Sequence, residues 1–272
     1  MSLLLQPRRV SSIWAASSTI RALACFTFTG TAIVTRVANL RIPGPDAQVS
    51  LIAKTFDLTA YDQMLRSPVL RRWVQAPPLV VETRTLQFTD VNASVAVGTS
   101  DAMSDAEYQS LTADLGWALP QISGSTFAGF ASVVKQSSPA GAVVPILNTG
   151  QITVARVTGL TAATGFWGYG RWQTDGDTVV SGNLVLDLDF ERGTSPFHRS
   201  LRTHELGHAM GYNHVTTRGS FMNSAATIEP TPFDLDACRI AFQRRPGNAS
   251  PDFDPAGISI NAHRLTWGPA IR

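Results

Sequence analysis

The chain has 272 residues, 44% of them apolar and 15% charged, enough for one well-filled core with flanking segments. Net charge is +2, but residues 1–45 carry Arg8, Arg9, Arg21, Arg36 and Arg41 and no acid, leaving 17 basic against 20 acidic residues in the remainder. Binding to nucleic acid needs cations clustered on the folded part with aromatics among them, so no nucleic-acid partner is expected.

Residues 1–45 read as a targeting leader. Ala22–Val34 is an apolar run of 13 residues, the length of a signal-peptide core and too short to span a bilayer, and Gly30-Thr31-Ala32 within it offers small residues for cleavage. A secreted or extracytoplasmic protein without a stable membrane span is expected; the alternative is an intracellular protein with an unstructured start. The two cysteines are Cys25 in the leader and Cys238 near the C-terminus. No disulfide is therefore expected in the mature domain, and Cys238 reads as a small buried hydrophobe.

Residues 46–72 form a propeptide-like or N-terminal arm, with helix expected over 59–65. The main domain is placed at 73–246. It opens on a strand over 79–88, where Val81, Thr83 and Thr85 alternate with Val80, Glu82 and Arg84 as in a half-exposed sheet. Ser104 and Glu107 then make a capping box for a helix bearing Tyr108, Leu111, Leu115 and Leu119, which Pro120 should end. Strands are expected over 127–135, 143–147, 152–157 and 179–190. Between the last two, Gly165-Phe166-Trp167-Gly168-Tyr169-Gly170-Arg171-Trp172 reads as a packed turn, or else as an aromatic wall beside a site. Asp187, Asp189 and Glu191 alternate along the last strand, and Asp175 and Asp177 flank Gly176 in a loop. These carboxylates read as solvated acids, with a Ca²⁺ site as the alternative. A helix follows Ser195-Pro196, and a final one starts at Thr231-Pro232. The tail, 247–272, is rich in Pro and Gly.

The helix after Pro196 carries the chemistry: His204-Glu205-Leu206-Gly207-His208-Ala209-Met210-Gly211-Tyr212-Asn213-His214, an HExxHxxGxxH pattern. His204 and His208 are four apart, so a helix sets both imidazoles on one face. Glu205 is spaced to reach a water at the metal rather than the ion itself. Gly211 can take the positive φ that ends a helix, which lets the chain turn back and bring His214 in as third ligand. Three ligands and one open position describe a catalytic zinc site, whereas a structural site has four. The other two histidines, His198 and His263, have no place in the pattern.

HExxHxxGxxH followed by a methionine turn resembles the signature of the metzincin zinc metallopeptidases. Met222 lies eight residues after His214, within Gly219-Ser220-Phe221-Met222-Asn223, a spacing similar to the matrixin branch. Ser224 stands where astacins and serralysins would show a Tyr. The resemblance spans about 73–245, with its specific residues over 182–242. It implies an α+β, zincin-like fold: a twisted mixed sheet, an active-site helix, and a small helical C-terminal subdomain beginning at Gly211. It also implies that Met222 floors the zinc ligands, and that a peptide substrate lies extended along a sheet edge drawn from residues 150–172. Matrixin zymogens resemble one another in a propeptide Cys that caps the zinc. Leu40-Arg41-Ile42-Pro43-Gly44-Pro45-Asp46 has a similar outline without the Cys, so a thiol switch is not expected there.

The function these residues imply is a zinc-dependent metalloendopeptidase with Zn²⁺ on His204, His208 and His214 and Glu205 as general base. The alternative is a zinc-binding interaction module on the same fold that does not cleave. Oligomeric state is not readable.

Overall fold

The structure, a computed structural model, describes residues 57–66 and 68–248. The leader, residues 46–56 and 67 of the arm, and residues 249–272 of the tail, with His263, lie outside the described residues. Among the described residues, eight strands form one curled mixed sheet and six helices pack around it, an α+β architecture.

At the centre of the sheet runs β6 (Ile152–Thr158). On one flank it pairs in parallel with β1 (Leu79–Glu82) and β2 (Arg84–Gln87), which lie end to end; on the other it pairs in parallel with β8 (Thr178–Asp187). Beyond β8, β7 (Gly168–Asp175) forms an antiparallel edge, with Gly168 opposite Leu186 and Trp172 opposite Gly182. The far side carries β4 (Val133–Gln136) parallel to β1, β3 (Val95–Ala102) antiparallel to β2, and β5 (Val143–Pro145) antiparallel to β3.

Side chains alternate across a sheet, so successive residues feed two different cores. Ile152, Val154, Leu184 and Leu186 join the main core beneath α2 (Asp105–Ile122) and α5 (His198–Met210). Ala155, Val157 and Val185 face the other way, into a smaller core with Leu86, Ala96, Val144, Ile146 and Leu160. Strands covered on both faces read as near-continuous apolar runs, and β6 and β8 are accordingly buried along almost their whole length. Two further helices complete the main core. α1 (Leu58–Leu65) contributes Tyr61, Met64 and Leu65, so this part of the arm packs on the domain. α6 (Pro232–Phe242) contributes Phe233, Ala237, Cys238, Ile240 and Ala241, and Thr231 and Asp234 cap it reciprocally. No helix among the described residues is long and apolar enough to cross a membrane.

Several elements depart from the sequence expectation. The first strand is broken at Thr83, and β1 is buried throughout rather than half exposed, because β4 and β6 flank it and both faces are covered. Glu82 is fully buried, yet its carboxylate accepts from the backbone N–H of Arg84 and Ser138, the Ser138 hydroxyl and the Gln136 amide. Four donors replace the water it has lost. Pro120 does not end α2; the helix runs on to Ile122 and stops before Gly124, whose φ of +57° suits glycine. The strand expected over 127–135 contracts to β4, and β3 was not foreseen.

The last strand also ends early. Asp187 caps α4 (Leu188–Arg192), accepting from the N–H groups of Asp189 and Phe190, and it accepts from Thr161 N at the start of α3 (Leu160–Thr164) as well. Asp189 and Glu191 therefore lie on a helix, not on a strand face with Asp187. Glu191 is further committed to Arg202, at 2.6 Å. The residues weighed for Ca²⁺ do not converge, and among the described residues the group positioned to hold a metal is a set of histidines.

α5 is buried on nearly every side, polar residues included. Arg202, 4% exposed, is held by Glu191 of α4 and by Asp114 and Ser110 of α2. Its guanidinium pKa is raised: burial opposes the charge, but the two carboxylates more than offset it. On the sheet side the helix lies close because Gly182 has no side chain; a Cβ there would stand 2.7 Å from the Ala209 carbonyl oxygen and 3.0 Å from its Cβ. Gly182→Ala should accordingly lower stability by about 1–3 kcal/mol, the usual cost of overpacking. Urea unfolding followed by tryptophan fluorescence would show it as a lower midpoint; an unchanged midpoint would mean α5 is free to retreat from β8.

Candidate metal centre

His204, Glu205 and His208 project from the last two turns of α5. Gly211, at φ 107°, caps the helix, and its N–H reaches the carbonyls of Gly207 and His208. The chain then doubles back and brings His214 to the other two imidazoles. The His214 Nε2 lies 3.1 Å from Nε2 of His208 and 3.3 Å from Nε2 of His204.

Backbone carbonyls set the tautomers. His204 Nδ1 donates to Phe221 O at 2.8 Å, and His208 Nδ1 donates to Tyr212 O at 2.8 Å. A carbonyl can only accept, so both protons sit on Nδ1 and both Nε2 atoms present lone pairs. Those lone pairs and the His214 Nε2 converge on one point. A tetrahedral zinc ion with Zn–N bonds of about 2.0–2.1 Å would hold its nitrogens about 3.3 Å apart, so the donor set fits such an ion in type and spacing. The environment also keeps the rings neutral, as a metal requires. Burial, with the neighbouring imidazoles, pushes His204 from 6.5 down to about 4 and His208 down to about 3; burial lowers His214 too.

Glu205 belongs to the same turn, with its side chain against Gly168 of β7. Burial raises its carboxyl from 4.5 to about 8, while the Gly170 backbone N–H draws it back. Its Oε2 is buried and finds no partner among the described residues. This is a carboxyl group held dry, with one oxygen uncommitted. The glycine–aromatic run is largely strand β7 rather than a turn, and its glycines make this possible. A Cβ on Gly168 would meet the Glu205 side chain at 3.2 Å, and one on Gly170 would strike the Glu205 carbonyl oxygen at 2.3 Å. Their bareness lets an edge strand lie directly on the helix beside the acid. Farther along the run, Phe166 and Trp167 are exposed, and Trp167 stacks on Phe190 at 4.7 Å.

Under the histidines lies the loop 219–223. Met222 is fully buried, and its sulfur fills the space left by Gly207, where a Cβ would stand 2.5 Å from Sδ. Asp234 of α6 steadies the loop, accepting from the Ser220 hydroxyl and Phe221 N while also capping its own helix at Thr231. Phe221 thus donates to Asp234 and accepts from His204, so one residue couples the cap of α6 to a metal-facing ring. Gly168, Gly170, Asp234 and the carbonyls of Tyr212 and Phe221 were not identified from sequence. Only Asp234 left a trace there, three residues after the capping Thr231. His198 donates from Nε2 to Phe190 O at 2.9 Å, two turns from the cluster, and takes no part in it.

No protein-family model matches this chain, and no curated protein matches it.

The same shifts fix how the metal-free protein responds to pH. Lowered His204 and His208 bind fewer protons folded than unfolded, so below about 6.5 stability falls as pH falls. Raised Glu205 works in the opposite sense, binding a proton when folded that the unfolded chain releases above 4.5. Between 4.5 and 6.5 the two histidines outweigh it; from 6.5 to about 8 it acts alone, and stability falls as pH rises. The contribution of these groups should therefore peak near pH 6.5 in chelator-treated protein. Glu205→Gln should remove the alkaline decline and leave the acid one, as read by urea midpoints from pH 4 to 9.

Proposed function

We propose that this protein is a zinc-dependent metalloendopeptidase of the metzincin type, matrixin-like in its methionine turn. The observation that carries the reading is the pairing of three neighbouring imidazole Nε2 atoms with a buried carboxylate whose Oε2 has no partner among the described residues. Either half alone suits a structural centre or a buried acid; together they suit hydrolysis. His204, His208 and His214 would hold the ion, which when bound supplies Lewis acidity toward a peptide carbonyl and toward water.

The remaining work belongs to the chain. Glu205 would take a proton from the attacking water at Oε2 and return it to the nitrogen of the departing amine, so that no side chain forms a covalent intermediate. A cation on the histidines would draw its pKa down from the metal-free value, toward that of a usable base. The Gly170 N–H keeps the carboxylate aimed. β7 offers the sheet edge on which an extended peptide could add as a further strand, and its helix-facing glycines bring that edge to the base. The sequence organisation, with its acid-free leader, fits a secreted enzyme.

The decisive experiment is casein cleavage by purified full-length protein, with parallel metal analysis. The wild type should cleave, lose activity to a chelator and regain it with zinc. Glu205→Gln should keep its zinc and lose about 100- to 10,000-fold in turnover, the range that a positioned proton-transfer group is commonly worth. A zinc-loaded wild type that cleaves nothing would support the non-cleaving binding module instead. Cleavage by a contaminant-free Glu205→Gln would remove the glutamate from the mechanism.

A further inference from the structure

The third ligand is held differently from the other two. His204 and His208 are each oriented through Nδ1, but His214 is exposed and its Nδ1 makes no hydrogen bond among the described residues. Its ring can be no better placed than the backbone that carries it. That backbone is gripped from two sides. On the side of the methionine turn, Val215 N donates to Met222 O and Val215 O accepts from the Asn223 amide. On the other side the grip comes from α1. Asn213 N donates to Met64 O at 2.8 Å, so the residue just before His214 hangs from the helix. Two residues after it, Thr216 N donates to Gln63 Oε1 at 3.0 Å, while Gln63 Nε2 donates to the Thr216 hydroxyl at 3.2 Å. The Thr217 hydroxyl donates to the same Oε1, and Arg218 faces Asp57, which caps α1.

α1 can serve as an anchor because its other face is sunk in the core, with Ala60, Tyr61, Met64 and Leu65 all at 0–1% exposure. A helix fixed by its apolar side and turned toward the loop by Gln63 is a rigid clamp spanning 213–217. We infer that α1 is part of the metal centre, and that Gln63 is the positioning residue for the third ligand, His214. The inference rests on the metal-site reading above and extends it to regulation. The arm carrying α1 is not a cover to be removed: loss of α1 would free the His214 loop and loosen the ion rather than uncover it. Any activating cleavage would have to fall before Asp57.

The test uses the full chain loaded with zinc, in wild-type, Gln63→Leu and Gln63→Glu forms. Zinc release to a chromogenic chelator is timed, and the melting temperature of the metal-free form is taken alongside. Leu keeps the bulk and removes every polar atom; Glu keeps an acceptor for Thr216 N and Thr217. Gln63→Leu should release zinc about 10-fold faster or more, the usual effect of losing a group that orients a ligand. Its metal-free melting temperature should stay within about 2 °C of wild type, since an exposed polar contact contributes little to folding. Gln63→Glu should restore most of the retention. Release from Gln63→Leu at the wild-type rate would overturn the inference while leaving the metal site intact. So would faster release accompanied by an equally large loss of metal-free stability, which would mark Gln63 as merely structural. A wild type that takes up no zinc would overturn the metal-site reading and this inference with it.

Discussion

Two backbone carbonyls, at Tyr212 and Phe221, determine whether the rest of this structure has a purpose. An imidazole whose Nδ1–H is not taken up can turn or change tautomer, and a lone pair that wanders is a poor ligand. Each carbonyl must therefore be fixed more firmly than the ring it serves. Tyr212 is fixed by burial and by its hydroxyl, which donates to the carbonyl of Ile122 at the end of α2. Phe221 is fixed by Asp234 from α6. α2 and α6, distant in sequence from the histidines, thereby act on them through one intermediate each.

The burial of α5 is the price of this rigidity. A helix with Arg202, His204 and Glu205 all under 5% exposure gains little from its own polar side chains and depends on neighbours to satisfy them. Arg202 finds two carboxylates; His204 and His208 find carbonyls; Glu205 is left half satisfied. That imbalance sits where chemistry is proposed. At Glu82 a fully buried acid is met by four donors, so the fold does not lack the means to satisfy one.

The sequence made the centre legible and much of the scaffold illegible, for physical reasons. HExxHxxGxxH encodes much of its own geometry, since helical spacing and one positive-φ glycine bring the three rings to one side, although remote residues hold them there. The caps at Ser104 and Thr231 are equally local, and both helices begin where they indicate. β3 escaped notice because Gly98-Thr99-Ser100-Asp101 is weak strand material, held by pairing to β2 rather than by its own preference. Asp187, Asp189 and Glu191 suggested a strand face because alternation cannot reveal that the first of them caps a helix. Nor could composition show that α1 belongs to the domain, or that Gly168 and Gly170 matter for what they lack. Contacts of that kind join residues far apart in the chain and leave no periodic signature.

The bare face of β7 has one further consequence. With no side chain on Gly168 or Gly170, only backbone of the strand stands against Glu205 at these two positions. A peptide laid along that edge could advance only in steps of two residues, since a shift of one would turn every side chain to the opposite face. On the peptidase reading proposed above, the strand would then work as a ruler beside Glu205, selecting a position along a peptide by its distance from the paired end rather than by the side chains there.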